Sequence, residues 1–130
     1  MPTPLISATL AEAIAKEAAA RDLGPFEEGR LFRLLVDAGH GSDDIARWYG
    51  CLWVSEVRLK VELLGLADNA RNAVDEGVLP LSLAYSVSRL SEPNQQLMLN
   101  RWTRGEFASA SRAAKYADAI YEDEHPLLSF

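Results

Sequence analysis

Apolar residues recur along this chain at three- and four-residue intervals, and rarely at intervals of two. With about 3.6 residues per helical turn, that spacing lines one face of an α-helix. Leu31, Leu34, Leu35 and Ala38 make one such stripe. Ile45, Trp48 and Tyr49 make a second, and Val54, Val57, Val61 and Leu64 a third. Further along, Leu83, Val87 and Leu90, then Leu97, Met98 and Trp102, then Ala113, Ala117 and Ile120 repeat the pattern. No segment alternates apolar and polar residues for long, and β-branched clusters are few, so strand signals are nearly absent. The pattern predicts an all-α, multi-helix fold with seven or eight helices.

Helix punctuation places the boundaries. Thr9 and Glu12 have capping-box spacing and predict an alanine-rich helix running to about Asp22, stopped by Gly24. Pro25 suits the first turn of the next helix, with Glu27 and Glu28 at its positive end and Gly39 closing it. Asp68 is placed to cap a helix over 69–76, followed by Gly77, and Ser82 to cap the helix of Leu83. Ser91, Glu92 and Pro93 form a start signal, and Gly105 a stop. A last helix is expected from about Ser109 to Tyr121. The tail EDEHPLLSF is acidic, then apolar, and Pro126 breaks any helix there. It is expected to fray unless it docks.

The chain is organised around GSDDIARWYGCLWVSEVRLKVELLGL, Gly41 to Leu66. Ser42 is the expected N-cap, with Asp43 and Asp44 where the helix dipole favours negative charge. Gly50 stands where the chain reverses, since glycine takes positive φ without a steric penalty. A second helix starts near Trp53. This is the grammar of a helix-turn-helix, whose second helix enters the DNA major groove by its N-terminal residues. Leu31, Leu35, Ile45, Val57, Val61 and Leu64 are its expected core. Leu59, Leu63 and Leu66 form a second apolar stripe, so the helix is expected to be packed on two sides.

Composition shifts the balance. The 130 residues carry a formal net charge of −6. Non-specific DNA affinity comes from Lys and Arg neutralising phosphates, so this charge opposes it, although a local basic face can coexist with an acidic remainder. The length suits a single domain over 1–130: a helix-turn-helix core at about 24–66, supporting helices at about 67–121, and a flexible tail at 122–130. No apolar run approaches membrane-spanning length, and the N-terminus lacks the pattern of a signal peptide. The lone Cys51 cannot close an internal disulfide, which fits a reducing cytoplasm, with nucleoid association if the chain binds DNA.

Catalytic and cofactor chemistry is not indicated. There is no glycine-rich phosphate loop, no CxxC and no HExxH, so no metal, no cofactor and no enzymatic activity is expected. His40 and His125 read as solvated polar residues in a loop and in the tail. Cys51 reads as a small buried residue of the turn, and Glu122–Glu124 as a solvated helix end.

Four segments resemble the central DNA-binding domain of the ParB/KorB partition family. LGPFEEGRLFRLL (Leu23–Leu35) is similar to the family's helix before the motif, and DDIARWYG (Asp43–Gly50) to its first motif helix. VRLKVELLGL (Val57–Leu66) is similar to its recognition helix and exit. ADNARNAVDEGVLPLSLAYSVSRLSEPNQQ (Ala67–Gln96) is similar to the helices that follow. The resemblance covers roughly Leu23 to Trp102. It implies an all-α fold whose helix near Trp53 reads DNA and whose later helices support the contact. The turn Cys51–Glu56 is one residue longer than the family pattern and lacks its Ser/Arg-rich start. The family's nucleotide-binding and dimerisation domains have no counterpart here, so either a stand-alone relative of the DNA-binding domain or that domain cut from a longer protein is expected.

The leading expectation is therefore a DNA-binding protein of partition or transcription-regulator type, with double-stranded DNA as partner. Arg47, Ser55, Arg58 and Lys60 would lie near the duplex, with Arg71, Arg89, Arg101 and Arg104 as phosphate contacts. The alternative is a protein-interaction module or scaffold with the fold kept and the DNA face lost, Leu52, Trp53 or the LLSF tail forming the contact. A homodimer is open under either. Trp53 separates the two: DNA binding requires it to be mostly covered by its own domain, packed on the first motif helix, whereas a protein contact requires it exposed.

Overall fold

The computed structural model describes residues 5–126, which form eight α-helices, a 3-10 turn and no strand among them. The chain divides into two compact units between Leu64 and Gly65.

The first unit holds α1 (Ala8–Ala19), α2 (Pro25–Asp37), α3 (Ser42–Tyr49) and α4 (Ser55–Glu62). α1 is capped by Ser7, not by Thr9: the Ser7 hydroxyl accepts from the Leu10 amide at 3.2 Å. The helix also ends earlier than expected, at Ala19, and Asp22 takes a positive φ of 57° in the connection to α2. α2 opens on Pro25 with Glu27 and Glu28 in its first turn, as its sequence predicts. Its buried face is Phe26, Gly29, Phe32 and Leu35, joined by Ala38 just beyond its end. Leu34, expected in that stripe, is instead 52 % exposed. The stripe is displaced toward Phe32, which makes an edge-on ring contact with Tyr49 at 4.9 Å between centroids.

α3 packs on α1, and α4 packs on α2 and α3. Around Phe32 and Leu35, the residues Ile45, Ala46, Trp48 and Val57 close the core with Ala11 and Ala15 of α1. Leu31, Tyr49, Cys51 and Val61 border it, partly buried. His40, expected to be solvated, is buried: its Nε2–H donates to the Ile6 carbonyl at 2.7 Å and its ring meets the edge of Trp48. A polar residue at the end of α2 is drawn in because that bond satisfies it. Gly29 faces the α4 backbone so closely that a β-carbon there would stand 2.4 Å from the Lys60 carbonyl oxygen.

The second unit follows the 3-10 turn Leu63–Gly65 and holds α5 (Asp68–Asp75), α6 (Leu81–Val87), α7 (Glu92–Thr103) and α8 (Ala110–Glu124). α6 and α7 pack on α8, and α5 on α6 and α7. Leu79, Leu83, Val87 and Met98 are its large fully buried side chains, with Ala113 and Ala117 of α8 also fully buried. Gln95 is a buried polar tie: its Oε1 accepts from the Ala67 amide at 2.8 Å, and its Nε2 donates to the carbonyls of Gly65 and Leu90. α8 runs three residues past its expected end, and Glu124, read as a solvated terminus, caps α7 instead. Its carboxylate accepts from the Ser91 amide, the Ser91 hydroxyl and the Asn94 side chain. Those bonds, Asn94 foremost, hold its carboxyl below the usual glutamate range. The LLSF segment, residues 127–130, lies outside the described residues.

Candidate functional site

α3 and α4 are each eight residues long and meet through a short turn. Gly50 ends α3 in the left-handed region at φ 89°, donating to the Ala46 carbonyl. Cys51 donates to the same carbonyl, so the chain leaves α3 sharply. Ser42, the expected cap, is the first residue of α3, and Gly41 takes the cap position with no side-chain bond. α4 begins one to two residues later than Trp53: Val54 is its N-cap, and the Trp53 carbonyl accepts from the Glu56 amide.

That late start leaves Leu52, Trp53 and Val54 outside both helices. They are 79 %, 65 % and 46 % exposed, respectively. The expectation that Trp53 packs on the first helix of the pair is thus corrected. Trp48 already fills the place beside the core, and Gly50 turns the chain away before Trp53 can reach it. Three consecutive large apolar side chains therefore project at the tip of the turn, next to the exposed Ser55 and Arg58.

Behind the tip stands a polar cluster. Glu28 of α2 accepts from the Tyr49 hydroxyl at 2.7 Å and from the Lys60 ammonium at 2.8 Å. The Lys60 and Glu28 side chains are only 15 % and 18 % exposed. Burial, and then the bond to Glu28, push the Tyr49 hydroxyl well above the usual tyrosine range. Burial, and then the nearby Glu56, raise the Cys51 thiol to about 11. The cluster joins α2, α3 and α4.

The eight side chains expected at DNA are distributed as follows. Arg47, Ser55, Arg58 and Lys60 belong to the first unit, and Arg71, Arg89, Arg101 and Arg104 to the second. Lys60 turns inward to Glu28. Arg47 is exposed and pairs with Asp44 at 2.8 Å, and Arg58 is exposed with Glu62 at 3.8 Å. Arg71 on α5 is half-buried. Arg89 pairs with Asp118 at 2.9 Å and lies over the Tyr121 ring. Arg101 pairs with Glu106 at 2.9 Å and lies over the adjoining rings of Phe107 and Tyr116, and Arg104 approaches the same Glu106 at 3.7 Å. The cations in these pairs thus face carboxylates of their own chain.

Among the described residues, no group of three or more His, Cys, Asp or Glu side chains is placed to hold a metal ion, and no helix is long and apolar enough to cross a membrane. No protein-family model matches the sequence, and no curated protein matches it.

Proposed function

We propose that this chain is a helical protein-interaction module that offers Leu52, Trp53 and Val54, on the turn between α3 and α4, as its contact surface. The observation that carries this reading is the exposure of those three consecutive side chains. Tryptophan is among the residues enriched at interface hot spots, and burying it with its aliphatic neighbours against a partner releases apolar surface from water at about 25 cal/mol per Å². The charge agrees. An acidic chain in which Arg47, Arg58, Arg89, Arg101 and Arg104 stand beside its own carboxylates is less attracted to a phosphate backbone.

A second reading is favoured by one observation. α3, the Gly50 turn and α4 have the order and lengths of a helix-turn-helix, and the first turn of α4 exposes Ser55 and Arg58. The ParB/KorB resemblance points the same way. Exposed ion pairs are worth only about 0–1 kcal/mol, so Arg47 and Arg58 could exchange Asp44 and Glu62 for phosphates. On this reading the chain is a sequence-specific DNA-binding protein of partition or regulator type.

A photo-cross-linking side chain at position 53, activated in living cells, tests the two together. Adducts removed by protease and untouched by nuclease are expected. Nuclease-sensitive adducts would move the assignment to DNA, and the absence of any adduct above that of a control at Leu10 would sink both.

A further inference from the structure

α8 carries its charges in order. Its first half is basic, with Arg112 and Lys115, and its second half acidic, with Asp118, Glu122, Asp123 and Glu124. Two of these carboxylates are engaged within the chain, Asp118 by Arg89 and Glu124 by Ser91 and Asn94. The side chains of Arg112, Lys115, Glu122 and Asp123 are exposed and make no ion pair among the described residues. We infer that α8 is the contact face of a weak two-fold homodimer, lying antiparallel against α8 of a second copy of this chain. The inference goes beyond the tip at the α3–α4 turn and does not depend on it.

The register follows from one row of the helix. Arg112, Tyr116, Ala119 and Asp123 stand at spacings of four, three and four, which place them on one face. All four are exposed, Tyr116 at 41 %, whereas Ala113 and Ala117 are fully buried. Part of the Tyr116 ring is covered by Phe107 and by the Arg101 guanidinium, 4.5 Å from its centroid, and the rest meets water. Reversed in direction, this row is its own complement. A two-fold axis passing between positions 117 and 118 sets Arg112 against Asp123 of the second copy, and the Tyr116 ring against its Ala119 methyl, each twice. Lys115 and Glu122, flanking the row, meet across nearly the same axis. The alanine leaves the room that the tyrosine ring takes up.

The order of charge selects the occupant. A wholly acidic segment laid along α8 would meet Glu122 and Asp123, and a wholly basic one Arg112 and Lys115, like against like at one end. A helix of reversed charge order satisfies both ends, and this chain's own α8 is such a helix. The area sets the strength. The 15 residues of α8 span about 22 Å at 1.5 Å per residue. One helix pair of that length falls short of the about 800 Å² per partner of a stable interface, so the dimer is a transient one. The net charge of −6 on each copy weakens it further, although that repulsion is screened beyond about 8 Å at physiological ionic strength.

Charge reversal tests the register. In sedimentation equilibrium from micromolar to millimolar concentration, the whole chain is expected to move from the mass of one copy toward that of two. Arg112→Asp and Asp123→Arg should each raise the dissociation constant several-fold, because like charges then meet twice across the axis. Asp123→Arg is the sharper of the two, since it lowers the net negative charge and would strengthen any association governed by that charge alone. The double variant Arg112→Asp/Asp123→Arg restores opposite charges and should recover the wild-type dissociation constant. Each change places an acid near the start of α8 or a base near its end, where the helix dipole favours it, so the helix is kept. On dilution of ¹⁵N-labelled protein, the Tyr116 and Ala119 amide signals should move and the Trp53 indole signal should not. A chain that stays monomeric at millimolar concentration overturns the inference. So does an association that the single variants leave intact or that the double variant does not recover. Movement of the Trp53 signal with α8 unmoved would assign the pairing to the tip and overturn it as well.

Discussion

A β-carbon on Gly29 would lie 2.4 Å from the backbone oxygen of Lys60, a distance real contacts do not reach. Gly29→Ala must therefore push α4 away from α2. The expected cost is about 1–3 kcal/mol, the range for overpacking a tight contact, read as a lower urea midpoint. Cys51 gives a different residue-scale expectation. With its thiol raised to about 11, the nucleophilic thiolate is scarce at neutral pH. Alkylation by iodoacetamide should be slow at pH 7.5 and accelerate with an inflection near that value. An inflection in the ordinary thiol range would mean that the burial described for Cys51 is absent in solution. His40 shows the limit of reading single residues. Its position after a glycine at the end of a helix looks solvated, and only the distant Ile6 carbonyl, brought close by the chain path before α1, explains its burial.

Among elements, the two faces of α4 separate cleanly. Val57 is fully buried, whereas Val61 borders the core partly exposed. Both were expected in the core from their spacing. Val57→Ala should cost roughly 1–3 kcal/mol through lost burial and a residual cavity, and Val61→Ala measurably less. Equal losses would show that α4 is rotated from the position described. The helix starts carry a related lesson. The sequence marks Ser42 and Asp68 as caps, yet each is the first residue of its helix, with Gly41 and Ala67 in the cap positions. Acidic or hydroxyl residues serve the positive end from either place, so composition fixes the neighbourhood of a start and not its residue. Glu124 shows an element closed from far away in sequence, and its effect should depend on pH. A carboxyl held below its unfolded value adds stability that is present above the unfolded value, near 4.3, and is lost as pH falls through the folded one. Amide exchange at Ser91 should thus be protected at pH 6 and lose that protection under acid. In Glu124→Gln the protection should be weaker at pH 6 and show less of this acid dependence.

At the scale of the whole molecule, the helical class was legible because apolar spacing is a local property, and it appears as eight α-helices without strand among the described residues. The exposed tip was legible only as the alternative in which Leu52 and Trp53 form a contact, because the sequence does not decide whether Trp53 is covered. Leu52, Trp53 and Val54 have the composition of core residues, and their exposure follows from the late start of α4 and from Trp48 occupying the core first. Nor did the sequence reveal that Lys60 faces inward, since the carboxylate that draws it in lies on α2, 32 positions away. The charge pairing leads to one more expectation. With Arg47, Arg58, Arg89, Arg101 and Arg104 beside carboxylates and a net charge of −6, the protein should produce no shift of random double-stranded DNA in a gel at about 50 mM salt, where electrostatic binding is strong. A robust shift would favour the DNA reading. The three tryptophans have a use beyond this question. Trp48 is enclosed, the Trp102 indole donates to the Val78 carbonyl at 2.9 Å, and Trp53 meets water. The chain therefore carries its own optical gauge. Red-edge emission follows the tip, blue-edge emission follows the interior around α3, and a change confined to one colour reveals which part of the protein has responded.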